Sequence, residues 1–164
     1  MNVTIIADAS FCPETHVGGY GYWIACERGR VPGGGPFKSL IQDANLAEMM
    51  AVCKAIHEGL KQQLIQPGDD ILVQTDCMGA IDTFAKMQSF RWMNASYKTV
   101  MEVFRKLRNK HNLRITFRHV KGHTNIHEPR YAANRACDYR AKTAMRAERE
   151  RVKQFNQDIG NDYN

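Results

Sequence analysis

Acidic residues at four separated places in this chain stand where a metal-dependent reaction would need carboxylate ligands. Asp8 and Asp76 each follow a short apolar segment that is typical of a buried strand. Glu48 and Asp138 lie in segments that are expected to be helical. A carboxylate at the end of a buried strand is costly unless a charged partner meets it. Four such acids therefore predict a shared cation site.

Carboxylates suit the metal-assisted cleavage of a phosphodiester. Such cleavage needs an activated water and a stabilised leaving oxygen, and two ions about 3.5–4 Å apart supply both. Magnesium prefers hard oxygen ligands in an octahedron, so aspartate and glutamate fit it and thiols do not. Clustered carboxylates would otherwise repel one another, and some would take up protons. Each acid alone could be a helix cap or a surface charge, but the four together favour a metal site.

The composition is that of an ordinary globular domain. The 164 residues are 43% hydrophobic and 24% charged, enough for one domain with a sizeable core. No apolar run approaches the roughly 20 residues that span a bilayer, and residues 1–4 resemble a strand rather than a signal peptide. We therefore expect a cytoplasmic protein with no membrane partner and no obligate protein partner. Its five cysteines form no CxxC pair, which predicts free thiols.

The net charge of +6 is compatible with binding a polyanion. Basic residues concentrate between residues 86 and 110, with aromatic residues among them, a pattern that could hold a phosphate backbone. The candidates for substrate contact are Lys98, Arg105 and Lys106. A solvated helix face over core aromatics is the alternative, and it accounts for some of these residues.

The order of the expected elements predicts an α/β fold. Apolar segments predict strands over residues 3–7, 20–26, 37–41, 71–75 and 113–120, with a hairpin turn at the glycine run 33–35. Helical spacing predicts helices over residues 44–63, 77–87 and 97–107, and a last helix after residue 130. A three-strand antiparallel meander followed by alternating units predicts a five-stranded mixed sheet, completed by parallel strands, with helices on both faces.

This topology brings the four acids together. The crossover from the third to the fourth strand can place the fourth strand beside the first, so that Asp8 and Asp76 emerge from neighbouring strand ends. Glu48, early in the first helix, and Asp138, early in the last, would close the cluster. Residues 146–164 show no core-forming pattern, so we expect one domain over residues 1–145 and a frayed tail after it.

Short motifs spread along the chain resemble those of type 1 ribonuclease H. They are Ala7-Asp8-Ala9-Ser10, Gly18-Gly19-Tyr20-Gly21, Asn45-Leu46-Ala47-Glu48-Met49-Met50-Ala51, Thr75-Asp76, Val120-Lys121-Gly122-His123 and residues 134–138. Each is weak alone, but their order and separations make the resemblance strong over residues 1–145. It implies a ribonuclease H-like fold and an endoribonuclease that cuts the RNA strand of RNA–DNA hybrids with two Mg²⁺ ions, for which Mn²⁺ could substitute.

The resemblance also implies a role for each acid. Asp8 would bridge the two ions. Asp76 and Asp138 would hold the ion on the nucleophile side, and Glu48 would hold the ion on the leaving-group side. These assignments treat all four residues as both metal ligands and catalytic residues.

Three further residues are candidates near the acids. His123 lies in a glycine-containing loop, and its neutral imidazole can relay a proton near neutral pH. The resemblance gives it an auxiliary catalytic role, although an exposed loop histidine would look the same. Asn45 and Asn134 could contact sugar or phosphate groups of the substrate, or they could begin helices.

The chain departs from the family pattern in three respects. Ala9 stands where glycine is common, and Cys77 stands where serine is common, but neither position supplies a metal ligand through its side chain. The basic handle of many bacterial members is replaced by a short loop between residues 87 and 95. A reduced handle predicts weaker affinity for the hybrid rather than a loss of chemistry.

Two other functions remain open. The first is a different nuclease on the same architecture, such as a Holliday-junction resolvase, because fold alone does not settle the substrate. The loop Lys121-Gly122-His123 and its distance from Asp138 favour hybrid cleavage. The second is a non-catalytic nucleic-acid-binding module. The four acids argue against it, since clustered negative charge does not help to bind a polyanion.

Overall fold

The structure is a computed structural model that describes residues 1–85, 94–122 and 128–162. The elements in these ranges are β1 (Asn2–Phe11), β2 (Gly18–Cys26), β3 (Gly29–Pro36), α1 (Ala44–Lys61), β4 (Asp70–Thr75), α2 (Met78–Ala85), α3 (Ala95–Lys110), β5 (Arg114–His119) and α4 (Pro129–Asp162). None of the helices in these ranges is long and apolar enough to cross a membrane.

The strands form one mixed sheet in the order β3-β2-β1-β4-β5. β1, β2 and β3 pair as an antiparallel meander, and β4 and β5 are added in parallel. The predicted fold class is therefore confirmed, including the position of β4 beside β1. Ile6 of β1 pairs with Gln74 of β4, so Asp8 and Asp76 lie equally far along two parallel neighbours.

One face of the sheet carries the main core, under α1. Val3, Ile5 and Ala7 of β1 are at most 1% exposed and belong to the same apolar cluster as Met49 and Ile56 of α1. α3 packs against α1 on its outer side. The strands thus fix the position of α1, and with it the position of the acid that α1 carries.

The opposite face of the sheet holds α4 at close range. A Cβ on Gly21 would lie 2.2 Å from the carbonyl oxygen of Cys137, and one on Gly19 would lie 2.4 Å from that of Ala141. Any side chain at these two positions of β2 would push the helix away. The glycines therefore allow α4 to lie directly on the sheet and set the height of Asp138 above it.

The hairpin from β2 to β3 differs from the prediction. The chain reverses at residues 27–28, the glycine run 33–35 lies inside β3, and residues 37–41 form a loop instead of a strand. Gly33 pairs with Tyr22, and a Cβ there would lie 2.3 Å from the tyrosine hydroxyl. Glycine in this strand makes room for a large neighbouring side chain, a use that composition does not distinguish from a turn.

The C-terminal segment also differs from the prediction, since residues 146–162 continue α4 rather than fray. The side chain of Val152 packs against a small apolar cluster formed by Cys12, Val17 and Met145. Most residues of the segment are good helix formers, so the contact of Val152 and local propensity together extend the helix. The contact of Val152 does not produce the periodic apolar pattern from which a packed helix is predicted.

All five cysteines are free, as predicted. Burial raises the pKa of the Cys53 thiol and of the Cys137 thiol to about 12. Both thiols are therefore neutral and serve as small apolar groups of the interior.

Candidate active site

Three of the predicted ligands meet at the edge of the sheet where β1 and β4 end. Asp8 of β1 is only 3% exposed, and Asp76 directly follows β4. Glu48 lies in the second turn of α1. Asp43 caps the start of this helix, because its side chain accepts a hydrogen bond from the backbone nitrogen of Leu46 at 2.8 Å. One carboxylate oxygen of each of the three acids lies within 4.8 Å of the other two.

Burial and mutual repulsion raise the pKa values in this cluster. Burial, followed by the charge of Asp76, raises the pKa of Asp8 to about 8. Burial, followed by the charges of Asp8 and Asp76, raises the pKa of Glu48 well above its usual range. Without a cation the cluster therefore retains protons near neutral pH. A divalent cation that displaces these protons would stabilise the charged form.

Among the residues that the structure describes, two oxygens of the cluster lack a hydrogen-bond donor. Asp8 Oδ1 accepts a bond from the backbone nitrogen of Ala9 at 2.9 Å, but Asp8 Oδ2 and Glu48 Oε2 are buried without a donor. Buried carboxylate oxygens in this state are costly, and a proton or a cation would relieve the cost. The three acids therefore fit a divalent ion that takes oxygen ligands.

The fourth predicted ligand, Asp138, lies at the rim of the cluster, in the third turn of α4. It is close enough for its charge to raise the pKa of Asp8, but it is not one of the three carboxylates that meet. Asp138 Oδ2 accepts a hydrogen bond from Lys142 Nζ at 2.9 Å. The structure thus brings three of the four acids together and pairs the fourth with a lysine that the motifs do not include.

The loop after β5 bounds the site on the side of Asp76. A Cβ on Gly122 would lie 2.5 Å from Asp76 Oδ2, so only glycine fits against this carboxylate. The ring nitrogen Nε2 of His119 lies 3.2 Å from the backbone oxygen of Asp76. His123, the predicted auxiliary residue, lies outside the described residues.

The side chain of Asn45 is hydrogen-bonded within the protein. Its Nδ2 donates to Thr83 Oγ1 at 3.3 Å and to the Tyr97 hydroxyl at 3.2 Å, and its Oδ1 accepts from the Cys77 thiol at 3.6 Å. The Tyr97 hydroxyl donates in turn to Asp43 Oδ1 at 2.8 Å. This network joins the starts of α1 and α3 to α2. The predicted substrate contact by Asn45 would require some of these bonds to be exchanged.

Asn134 lies on α4 one turn before Asp138 and is 3% exposed. It is in the second turn of the helix, so it does not cap the helix start. Its Oδ1 is buried and finds no hydrogen-bond donor in the described part of the chain. Asn134 therefore offers an unsatisfied acceptor beside the acid that α4 contributes to the site.

The basic candidates lie along α3. Lys98 and Lys106 are exposed, and Arg105 is half-buried. Lys98 follows Tyr97, whose hydroxyl reaches the start of α1, so Lys98 is at the end of α3 nearer to the acids. The other predicted basic and aromatic residues in the range 86–92, and most of the reduced handle, lie outside the described residues.

The fold and the acidic cluster define a ribonuclease H-like domain. The N-terminal RNase H domain of Rv2228c from Mycobacterium tuberculosis, solved as a fusion with maltose-binding protein, matches with a TM-score of 0.69 and 15% identity, over 92% of this chain and 98% of that chain. RNase H1 from the halophilic archaeon Halobacterium salinarum matches with a TM-score of 0.67 and 16% identity, over 90% of this chain and 99% of that chain. LC11-RNase H1 in complex with an RNA/DNA hybrid matches with a TM-score of 0.66 and 14% identity, over 89% of this chain and 98% of that chain. Identities this low establish the shared fold alone.

The sequence establishes the family. No curated protein matches the chain significantly in sequence. The sequence profile of the RNase H family, however, matches residues 1–146. The chain therefore belongs to the RNase H family, which confirms the resemblance drawn from its motifs.

Proposed function

We propose that this protein is an endoribonuclease that hydrolyses the RNA strand of RNA–DNA hybrids with two divalent metal ions. The observation that carries the proposal is the meeting of the carboxylates of Asp8, Glu48 and Asp76, where one buried oxygen each of Asp8 and Glu48 has no hydrogen-bond donor among the described residues. Membership of the RNase H family supports the reaction. The substrate is supported by the neighbour LC11-RNase H1, which was solved with an RNA/DNA hybrid.

The four acids would divide the two ions between them. Asp8, the most buried, would hold both, with Asp76 and Asp138 on the nucleophile side and Glu48 on the leaving-group side. When bound, the ions activate the attacking water and stabilise the charge that develops on the leaving oxygen. An all-oxygen ligand set favours Mg²⁺, and Mn²⁺ accepts the same ligands.

The protein contributes by holding these carboxylates in place before the substrate arrives. Asp8 is held by its pairing with Gly21 of β2, just beyond the part of β1 that also pairs with β4, and Glu48 is held by the capped start of α1. Gly122 lies directly against the carboxylate of Asp76. Ligands that are already fixed need no reorganisation during the reaction. We assign His123 an auxiliary role in proton relay or product release.

The hybrid would be held by residues outside the acidic cluster. Lys98, Arg105 and Lys106 would neutralise phosphates along α3. Asn134 would offer near the reacting strand its Oδ1, which has no hydrogen-bond donor among the described residues. Asn45 would act mainly by holding the starts of the helices together, since its amide is already hydrogen-bonded.

A cleavage assay tests this function. The substrates are an RNA–DNA hybrid, double-stranded RNA, double-stranded DNA and a four-way DNA junction, each with Mg²⁺ or with EDTA. We expect cuts within the RNA strand of the hybrid, in Mg²⁺ only. Asp8→Asn should abolish them, whereas Asp70→Asn, a half-exposed acid on β4, should retain them.

Each other outcome points to a different function. Cleavage of the junction without cleavage of the hybrid would identify a resolvase. Hybrid binding without cleavage by the wild-type protein in Mg²⁺ would identify a binding module. Equal cleavage of hybrid and double-stranded RNA would contradict recognition of one RNA and one DNA strand.

A further inference from the structure

The ion pair between Lys142 and Asp138 has no part in the reaction described above. The two residues are one helical turn apart on α4, and Lys142 Nζ lies 2.9 Å from Asp138 Oδ2. Their side chains are 38% and 27% exposed, so the pair is at the rim of the site rather than in the core. A lysine is thus bonded to the carboxylate that is proposed to hold a metal ion.

We propose that Lys142 is a positioning residue that competes with the second divalent ion for the carboxylate of Asp138. In the metal-free protein its ammonium compensates the charge of Asp138 beside three further carboxylates. When an ion binds at Asp138, the ammonium must leave, and the exposure of Lys142 gives its side chain room to move into solvent. This inference rests on the proposed function in one respect, that Asp138 is a metal ligand.

The two parts of the site differ in what an ion would replace. At Asp8 and Glu48 an ion would meet buried oxygens for which the described residues provide no hydrogen-bond donor. At Asp138 it would have to break a formed ion pair. The ion on the leaving-group side, held by Asp8 and Glu48, should therefore bind first and more tightly. The ion that needs Asp138 should bind second and more weakly, and Lys142 sets part of that difference.

The expected size of the effect follows from the exposure of the pair. Partly exposed lysine–aspartate pairs one turn apart on a helix are weak, so loss of the competitor should tighten the second site by about two- to fivefold. Removing a positive charge near the cluster also reduces the repulsion of any cation there, and so strengthens its binding whether or not Asp138 is a ligand. These two origins can be separated by testing whether the gain depends on Asp138.

Isothermal titration with Mn²⁺ as the probe tests the proposal without relying on catalysis. Lys142→Met keeps an unbranched side chain that is one atom shorter and removes the charge, whereas Lys142→Arg keeps the charge and the ion pair. The wild type should show two binding events. The weaker one should tighten about two- to fivefold in Lys142→Met and stay unchanged in Lys142→Arg.

Two further variants separate the possible causes. Asp138→Asn should lose the weaker event, and adding Lys142→Met to it should not restore that event. Lys153→Met, further along α4 and 4.0 Å from Glu14, removes a lysine away from the acids and should change neither event. Thermal melting of each variant without metal checks that it is folded.

Several outcomes would overturn the proposal. If Lys142→Met leaves the weaker affinity unchanged or lowers it, Lys142 is not a competitor, and the proposed function still stands. If the same gain appears in the Asp138→Asn background, it is a general charge effect. If Lys142→Met raises KM for the hybrid with unchanged Mn²⁺ affinity, Lys142 contacts a substrate phosphate instead. If Asp138→Asn leaves both events intact, Asp138 is not a ligand, and the metal assignment fails with the inference.

Discussion

The carboxylates of Asp8 and Glu48 approach within 4.8 Å of each other, and each has a buried oxygen that no hydrogen-bond donor of residues 1–85, 94–122 or 128–162 reaches. Burial is the largest cause of the raised pKa of both groups. The metal-free pair therefore retains protons that the charged, metal-binding form must give up. Metal binding, pH and stability are coupled through these two residues.

The metal-free protein should lose stability as the pH rises. The folded-state pKa of Asp8 is about 8, above the value of about 3.9 for an unfolded aspartate. Its contribution to stability is therefore complete below about pH 4 and is lost as the pH rises to about 8. Urea unfolding in EDTA should give a lower free energy of unfolding at about pH 8.5 than at about pH 5.5. The difference should be smaller in Asp8→Asn, and an equal difference in both proteins would show that Asp8 does not carry the effect.

Gly122→Ala should impair cleavage while leaving the protein folded. The new Cβ would lie 2.5 Å from Asp76 Oδ2 and 3.2 Å from Asp76 Cγ, so the carboxylate would have to move. A displacement of about 1 Å at a catalytic group can cost about 10²-fold in rate, and we expect a loss of that order in kcat at saturating Mg²⁺. Gly160→Ala is the control, because a Cβ there would meet nothing within 4 Å. If both variants keep the wild-type kcat, the position of Asp76 is not critical.

The meeting of Asp8 and Asp76 could be predicted from the order of the elements. An apolar strand, a helical crossover and a second apolar strand place two parallel strands side by side, and the acids that follow them share an edge. Glu48 could be placed because helical spacing put it near the start of a helix. These predictions depend on local pattern and on topology, which a single sequence carries.

Other features depend on contacts between distant segments. The bonds from Tyr97 to Asp43 and Asn45 exist because α3 packs on α1, whereas spacing showed only that Tyr97 faces a core. Gly33 of β3 is explained by the side chain of Tyr22 on the neighbouring strand β2, which a local pattern does not show. The pair of Lys142 with Asp138 could have been read from its spacing of four residues on a predicted helix.

Asp69→Ala should destabilise the protein more than Asp70→Ala at the neighbouring position. Asp69 is 2% exposed and accepts hydrogen bonds from Arg28 at 2.5 and 3.0 Å and from the backbone nitrogen of Gln66 at 2.8 Å. Asp70 pairs with Arg114 at the surface, where both side chains are about half exposed or more. Urea unfolding should show a loss of about 1–3 kcal/mol for Asp69→Ala and less than about 1 kcal/mol for Asp70→Ala.

The pH dependence of this contribution has the opposite sign to that of the acidic cluster. The hydrogen bonds from Arg28 hold the pKa of Asp69 well below its usual range. The stability that Asp69 supplies is therefore present above about pH 4 and is lost as the pH falls further. Asp69→Ala should accordingly flatten the acid limb of the stability profile. A limb as steep as in the wild type would mean that other carboxylates control acid unfolding.

Replacing Lys98 should weaken hybrid binding more than replacing Lys106. Lys98 follows Tyr97, which is hydrogen-bonded to the start of the helix that carries Glu48. Lys106 lies eight residues further along α3, about 12 Å away along the axis. Each lysine that neutralises a phosphate adds about one to the slope of log affinity against log salt. We therefore expect Lys98→Ala to reduce that slope by about one and Lys106→Ala to reduce it by less.

Fluorescence anisotropy of a labelled hybrid measures this slope across a series of KCl concentrations. The lysine variants are made in an Asp8→Asn background, so that the hybrid is not cut during the titration. Lys153→Ala is the matched control, because it removes an exposed lysine from α4, beside Glu14 rather than beside the acids. Equal slopes for all three variants and their parent would mean that the basic side of α3 is only a solvated helix face. If Lys106→Ala reduces the slope more than Lys98→Ala does, the phosphate backbone of the hybrid binds nearer to Lys106 than to the end of α3 at which Tyr97 contacts α1.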